Sequence, residues 1–390
     1  MKKLLSVILM IAVLFSAMPF SSAEEVKNET YISGEWYYRL RDDGTAAVCR
    51  YKGRDKKVVI PAELDGISVT GIEPGTFVLC DFVRSVTIPD SVTGIERNPF
   101  HMNEWLTDII VSPDHPYLAT IGGVLFSKPD KRLICYPGGL SAASYTVPQG
   151  IQAIEDIAFS GCGSLVSVTV SDGVTGIGDW AFIGCSSLAS VTIPDSITNI
   201  GLNPFRECIK LTDIIVSPDH PYLAVIDGIL FSRPDKRLVC CPCARTAECC
   251  EIPQGIHVIG DFAFSWCESL ASVTIPDGVT SIGDHAFSGC SSLASVTIPD
   301  SMTGIGDDAF LGCNSLTSVT VPDSVTSIGK GAFDTGSFPV SNKVPGSVIR
   351  ARERASAGCE PLTVTVFRGS YAEKYCGENG IRYTYPDADP

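Results

Sequence analysis

The chain has 390 residues, 45% of them hydrophobic and 19% charged, with 36 Gly, 25 Pro and 16 Cys. That apolar content excludes a wholly disordered chain, and no internal stretch reaches the ~18 apolar residues of a membrane span. The formal net charge of −15 is unbroken by any Lys/Arg-rich block, which argues against nucleic acid or an anionic membrane surface as the main partner.

Residues 1–23 read as a signal peptide. Lys2 and Lys3 form a basic start, Leu4 to Phe15 an apolar run broken only by Ser6, and Ser21-Ser22-Ala23 a small-x-small cleavage pattern. A membrane anchor is the competing reading, opposed by the short run and by the lack of a stop-transfer pattern. The mature chain is expected to begin at Glu24, with no membrane span, and to be secreted or held at the cell surface. Residues 24–57, with WYYRL and a DDG turn at Asp42, are expected to form an N-terminal cap on the repeats that begin at 58.

From 58 to 333 the chain repeats. Phe77, Phe100, Phe159, Phe182, Phe205, Phe264, Phe287, Phe310 and Phe333 follow one another at steps of 23 residues, except for two steps of 59. A period of this size is that of a solenoid, in which each unit is a coil stacked on its neighbours. In 188–210, Leu188, Val191 and Ile193 place alternate side chains on one side of a short strand. Pro194 ends that strand for want of an N–H, Ile197 and Ile200 turn back into the core, and Phe205 fills the far side. One coil cannot bury these side chains alone, whereas a stack makes a continuous core. Eleven such strands end at Ile60, Ile88, Val111, Val147, Val170, Ile193, Val216, Ile252, Ile275, Ile298 and Val321.

Each 59-residue step hides the same 36-residue insertion, one starting near Asp114 and the other near Asp219. In both, VLFS or ILFS and RLIC or RLVC flank a Pro-Asp turn, the pattern of a β-hairpin. Equivalent positions lie 105 residues apart, as do Val92, Ile197 and Met302, so a larger unit is duplicated in tandem and partly repeated a third time. Beyond the repeats, 334–361 is expected to be a flexible segment. Residues 362–390 are expected to cap the C-terminal end, with LTVTVF as a last strand and Ser370 to Gly380 as a short helix. The predicted fold class is therefore a mainly β repeat solenoid of 23-residue coils with two hairpin insertions and terminal caps.

SLASVTIPDSITNIG followed by AFxGC, the unit HPYLAVIDGILF and the terminal GSYAEKYCGENGI resemble the BspA-like leucine-rich repeat family of bacterial surface proteins. The resemblance covers nearly all of 36–390. It implies a leucine-rich repeat solenoid and a role in surface adhesion or host interaction, the latter by analogy with a family whose members differ in what they bind.

Chemistry is sparse. Cys80, Cys162, Cys185, Cys208, Cys267, Cys290 and Cys313 each follow the repeat Phe by three residues, a phase expected of a buried thiol ladder. In CCPCARTAECC, Cys240 matches Cys135, but Cys241, Cys243, Cys249 and Cys250 replace Tyr136, Gly138, Ser144 and Tyr145. Disulfides or free thiols on a tolerant loop are the favoured reading, with zinc the alternative, weakened by the lack of paired CxxC knuckles. His115 and His220 recur within PDHPY, which suits a turn better than an active site, and no hydrolase, zincin or P-loop motif occurs. No catalytic residue, metal or cofactor is expected. What is left is the outward side of the strands. Ser167, Thr169, Ser190, Thr192, Ser272, Thr274, Ser295, Thr297, Ser318 and Thr320 form the expected binding face for an extracellular protein or glycan. Solubility and strand propensity alone could account for the same residues, and a structural envelope-layer solenoid without a ligand is the alternative function.

Overall fold

The computed structural model describes residues 29–78, 80–334 and 362–386. The expected signal peptide, all of the expected flexible segment but Asp334, Cys359 and the last four residues lie outside the described residues.

The repeat makes two parallel ladders. The first joins the long strand of each coil to the strand one period on. Lys57–Val59, Ser85–Thr87 and Asp108–Ile110 form one group. Ser144–Thr146, Ser167–Thr169, Ser190–Thr192 and Asp213–Ile215 form the next, followed by Cys249–Glu251, Ser272–Thr274 and Ser295–Thr297. Ser318–Thr320 pairs with Thr363–Thr365. The eleven strands stand where the VTIP-like pattern puts them, each closed by an inward Ile or Val and a following Pro or polar residue. Two-residue strands such as Gly176–Ile177 and Asn199–Ile200 make the second ladder behind them.

Side chains alternate as the period of two demands. Val168, Val191, Val273, Val296 and Val319 point inward and are buried, while the residues on either side of each face out or stand half-buried. The repeat phenylalanines stack in a spine down the far side, Phe159 to Phe182 at 4.6 Å, Phe287 to Phe310 at 5.2 Å and Phe310 to Phe333 at 5.6 Å between ring centroids. Tyr375 meets Phe333 edge-on at 6.4 Å. It comes from the helix Tyr371–Asn379, capped by Ser370 accepting from the Glu373 N–H and ended by left-handed Gly380. At the other end, Thr30–Ser33, Trp36–Leu40 and Ala46–Tyr51 form an antiparallel sheet whose Trp36 and Tyr51 pack against Phe77.

The two insertions form the expected hairpins, and these are built into the stack. Val124–Ser127 and Arg132–Cys135 pair antiparallel, with Leu118–Ile121 outside them, and Arg132–Cys135 then pairs in parallel with Ala153–Ile154 of the next coil. Every residue of Val124–Ser127 is buried. The alternation decides which core each one serves. Leu125, Ile134 and Cys135 join the cluster that begins at Trp36, whereas Val124, Phe126, Leu133 and Tyr136 join the one that ends at Cys240. The second hairpin does the same, with Leu230, Val239 and Cys240 on one side and Ile229, Phe231, Leu238 and Cys241 on the other. Each hairpin is a wall inside the stack. Phe126 and Phe231 are each only 2% exposed, so these two rings fill the core and are not presented at the surface.

Candidate functional site

The outward residues are brought together in register, but in groups. Ser167 pairs with Ser190 and Thr169 with Thr192; Ser272 pairs with Ser295 and Thr274 with Thr297. Ser318 and Thr320 stand beside Thr363 and Thr365 of the last strand. Thr169, Thr274, Ser295, Thr297, Ser318 and Thr320 are exposed, and Ser167, Ser190, Thr192 and Ser272 are half-buried. Ser144 and Thr146 extend the first group through their pairing with Ser167 and Thr169. The S-x-T pattern at 144–146 was the signal available for them. Ile110 and Ile215 occupy the Thr column next to each wall, 48% and 50% exposed, so apolar surface interrupts the hydroxyl rows once per 105-residue unit.

Other residues that attract attention in the sequence serve the stack. His115 is fully buried; its Nδ1 accepts the Tyr117 and Leu118 N–H groups at 3.2 and 3.1 Å, and its Nε2 lies 3.2 Å from the Pro89 carbonyl oxygen. An Nδ1 that accepts leaves the proton on Nε2, so this neutral ring ties the wall to the coil before it. His220 repeats the arrangement with Tyr222, Leu223 and Pro194.

The thiol ladder is also bonded, beyond filling space. Cys185, Cys208, Cys290 and Cys313 donate to the carbonyl oxygens of Phe159, Phe182, Phe264 and Phe287 at 3.0 to 3.2 Å. Cys162 and Cys267 donate to Tyr136 and Cys241, which take the place of the spine residue at each wall. Burial pushes the thiols up, to about 11 at Cys80 and about 12 at Cys313; at Cys185 burial acts the same way, but hydrogen bonds from Cys162 and Cys208 outweigh it and lower the thiol. Thiols so raised are poor nucleophiles.

A carboxylate ladder escaped the sequence reading. The Asp156 Oδ1 accepts the Asp179 N–H at 2.8 Å, and the Asp179 Oδ1 accepts the Leu202 N–H at 2.8 Å. Asp261, Asp284 and Asp307 form a second such run, which ends at the Lys330 N–H. A Cβ on Gly178 would lie 2.5 Å from the Asp156 backbone N and Oδ1, so glycine there is required by close approach. The Gly-Asp pairs at 178, 260, 283 and 306 were the sequence signal, hidden inside positions read as variable.

The cysteine cluster is not a tolerant loop. Cys240, Cys241 and Cys250 are 1%, 3% and 2% exposed, Cys243 is half-buried and only Cys249 is exposed. Among the described residues no group of three or more His, Cys, Asp or Glu is arranged to hold a metal ion. Beside the cluster, Arg206 is buried with its guanidinium 4.1 Å from the centre of the Phe262 ring and its Nε 3.4 Å from Glu207 Oε1. Burial lowers the Arg206 pKa and raises that of Glu207. No helix among the described residues is long and apolar enough to cross a membrane.

The BspA type leucine-rich repeat region, a model present in six copies, matches residues 56–131, 134–233 and 243–371. Among solved structures, a leucine-rich cell surface protein from Faecalibacterium prausnitzii is similar at 29% identity, over 83% of this chain and 97% of its own, with a TM-score of 0.49. The pneumococcal vaccine antigen PcpA is similar at 19% identity over 93% of this chain and 99% of its own, with a TM-score of 0.54, which supports the fold. A leucine-rich repeat protein from Eubacterium ventriosum is similar at 20% identity over 81% of this chain and 97% of its own, with a TM-score of 0.42. No curated protein matches the chain.

Proposed function

Because the chain belongs to the BspA-type leucine-rich repeat family, we propose that it is a non-enzymatic secreted or cell-surface protein that binds an extracellular protein or glycan through its strand face. The observation that carries this reading is the alignment of outward hydroxyls, Thr169 beside Thr192 and Thr274 beside Thr297, on strands whose inward valines already supply the core. These side chains are spare with respect to folding. The exposed Ile110 and Ile215 in the same column favour a protein over a purely polar ligand. The signal-peptide pattern of residues 1–23 supports the location. In this reading 24–57 and 362–390 close the ends of the stack, as open solenoid ends require.

The test starts with binding of the purified chain to immobilised extracellular matrix proteins and to a glycan array. Thr192→Lys, Thr274→Lys and Thr297→Lys together leave Val191, Val273 and Val296 buried and load the face with charge. The triple variant should lose at least tenfold in affinity, about 1.4 kcal/mol. Lys at the exposed loop positions Asp195, Asp277 and Asp300 should matter less. Equal binding by the face variant and the parent would remove this face as the site, and no binding to any probe would favour a purely structural solenoid.

A further inference from the structure

Charge is spread unevenly along the stack. Within eight residues Arg50, Lys52, Arg54, Lys56 and Lys57 stand against a single acid, Asp55, a net +4 in a chain of −15. The expectation that no basic block interrupts the acidity fails here, because the run is short and the excess of acid elsewhere hides it in the total. All five basic residues are exposed, and half-buried Arg84 joins them. The Arg84 N–H donates to the Lys56 carbonyl oxygen at 2.8 Å, and Lys57 pairs with Ser85. Lys56, Lys57 and Arg84 therefore share the first two rungs of the strand face. None of the six cations makes an ion pair with a described residue. Asp108, next to Ser85 in the ladder, and Asp81, whose carbonyl oxygen accepts from Arg84 Nη1 at 3.1 Å, mark the limit of the basic region.

Two aromatic rings accompany these cations. Lys52 Nζ lies 4.2 Å from the centre of the Tyr37 ring, and the Arg84 guanidinium 4.7 Å from that of Trp105. Trp105 is 54% exposed, so a ring already met by a cation still offers apolar surface. The later units carry neither member of this pair. Lys210 and Ser315 replace Trp105, and Ala189 and Ala294 replace Arg84. Edge protection is the plain alternative: Lys57–Val59 is the outermost strand of its ladder, where charge discourages pairing with another chain. That role is met by the lysines alone and does not call for an exposed tryptophan with an arginine over it.

We propose that this end of the strand face binds an acidic polysaccharide, with Trp105 against a sugar ring and Lys56, Lys57 and Arg84 paired with its carboxylate or sulfate groups. The cations are strung along one segment and the neighbouring strand, which suits a linear polyanion with repeated charges better than a single anion. A sugar presents a ring face that the flat indole can cover, and an acidic peptide does not. Single-stranded nucleic acid shares both features, but a chain with a signal-peptide pattern meets polysaccharides outside the cell. The site is separate from the hydroxyl columns of 167–320 and does not rest on their binding a ligand.

The experiment passes the purified full chain over immobilised heparin, which carries sulfate and carboxylate, and over polygalacturonate, which carries carboxylate alone. Retention on at least one of them at low ionic strength, and release at high ionic strength, are expected. Lys56→Ser together with Lys57→Ser should weaken binding about tenfold or more. Trp105→Ala should weaken it about fivefold and leave the salt dependence unchanged, because the ring carries no charge. Lys210→Ser, at the position equivalent to Trp105 in the next unit, should bind like the parent. All these positions are exposed, and circular dichroism checks that each variant is folded. The lysine pair tests the charge independently should Trp105→Ala fail to fold. The proposal is overturned by no retention on either glycan at low ionic strength, by retention indifferent to salt, or by a folded lysine-pair or Trp105 variant that binds like the parent. Tighter binding of single-stranded DNA or poly-glutamate than of both glycans would overturn it too.

Discussion

The two hairpin walls have nearly the same backbone and different chemistry. DHPYLATIGGVLFSKPDKRLICYP and DHPYLAVIDGILFSRPDKRLVCCP pair their strands in the same register, down to the irregularity between Leu125 and Phe126 and between Leu230 and Phe231. Both hang on a buried histidine bonded to the proline carbonyl of an earlier coil. They part where each wall meets the following coil. In the first, Tyr136 and Tyr145 meet edge-on at 4.9 Å, and Tyr136 stacks on Phe159 at 5.3 Å. In the second, Cys241 and Cys250 hold those positions and Cys243 is added, donating to the Ser265 carbonyl oxygen at 3.4 Å. Wall construction depends on the hairpin's alternation and its histidine, so the lining on one side is free to change from aromatic to thiol.

Excising a whole wall is the most drastic way to test this. Removing 197–301 joins Ser196 to Met302, which takes the place of its equivalent Ile197 under the 105-residue repeat, and the shortened chain should stay soluble with β-rich circular dichroism. Removing 24–57 instead uncovers the side of the core covered by Trp36, Tyr38 and Val48, and should cause aggregation. An aggregated internal deletion alongside a folded end deletion would refute the idea of interchangeable units.

Point changes should have graded effects. Phe126→Ala and Phe231→Ala each empty a site that is 2% exposed, at a cost of about 3–5 kcal/mol by denaturant unfolding. A much smaller cost at either would mean that the hairpin lies on the stack and not within it. His115→Ala and His220→Ala should each cost about 2–3 kcal/mol, since two backbone N–H groups and a proline carbonyl lose their partner. Equal losses would confirm that the walls are anchored alike despite their different linings. In the carboxylate ladder, Asp179→Ala should cost about 1–2 kcal/mol by removing the acceptor for Leu202 N–H.

The smallest effect concerns pH. Burial, helped by Asp307 and Asp334, raises Asp308 to about 6, whereas His285, 3.9 Å away, is lowered to about 4 by burial and by Arg206. At neutral pH the pair is therefore a carboxylate beside a neutral ring. A raised carboxyl pKa means that the folded state holds the proton more tightly, so its stabilisation is complete below about 4 and is lost as pH rises through about 6. Asp308→Asn should thus be more stable than the parent at pH 7–8, by about 1–2 kcal/mol after allowance for partial exposure, and lose that advantage by pH 4. Parallel melting curves across that range would show that Asp308 titrates normally.

Much of this was legible in one dimension. Periodicity located the strands because Val191 and Ile193 must face inward wherever Ser190 and Thr192 face out, and a parallel stack repeats that choice every 23 residues. Ser370 and Gly380 marked the helix for equally local reasons. The phase of Cys185 and Cys208 marked a buried column, although bonding of each thiol to the carbonyl of the preceding spine residue depends on which coil lies beside it.

Tertiary structure decided the rest. Ile157, Trp180, Phe262, His285 and Asp308 all adopt φ of 50° to 57° two residues before the spine Phe, a conformation that only Gly75 and Gly331 advertise at that position. Nothing local selects left-handed Ile157; the bonds its neighbours make to adjacent coils hold it there, with Ile157 N–H donating to Asp179 and Phe159 N–H to Ala181. The hairpins were recognisable from VLFS and RLIC, but alternate burial of every residue on two faces makes sense only with a core on each side. Composition and spacing thus determined the coil, because each coil repeats the same inward choice. Placement of the walls required the stack, because the contacts of each hairpin strand with its neighbours join residues that the 23-residue period does not relate.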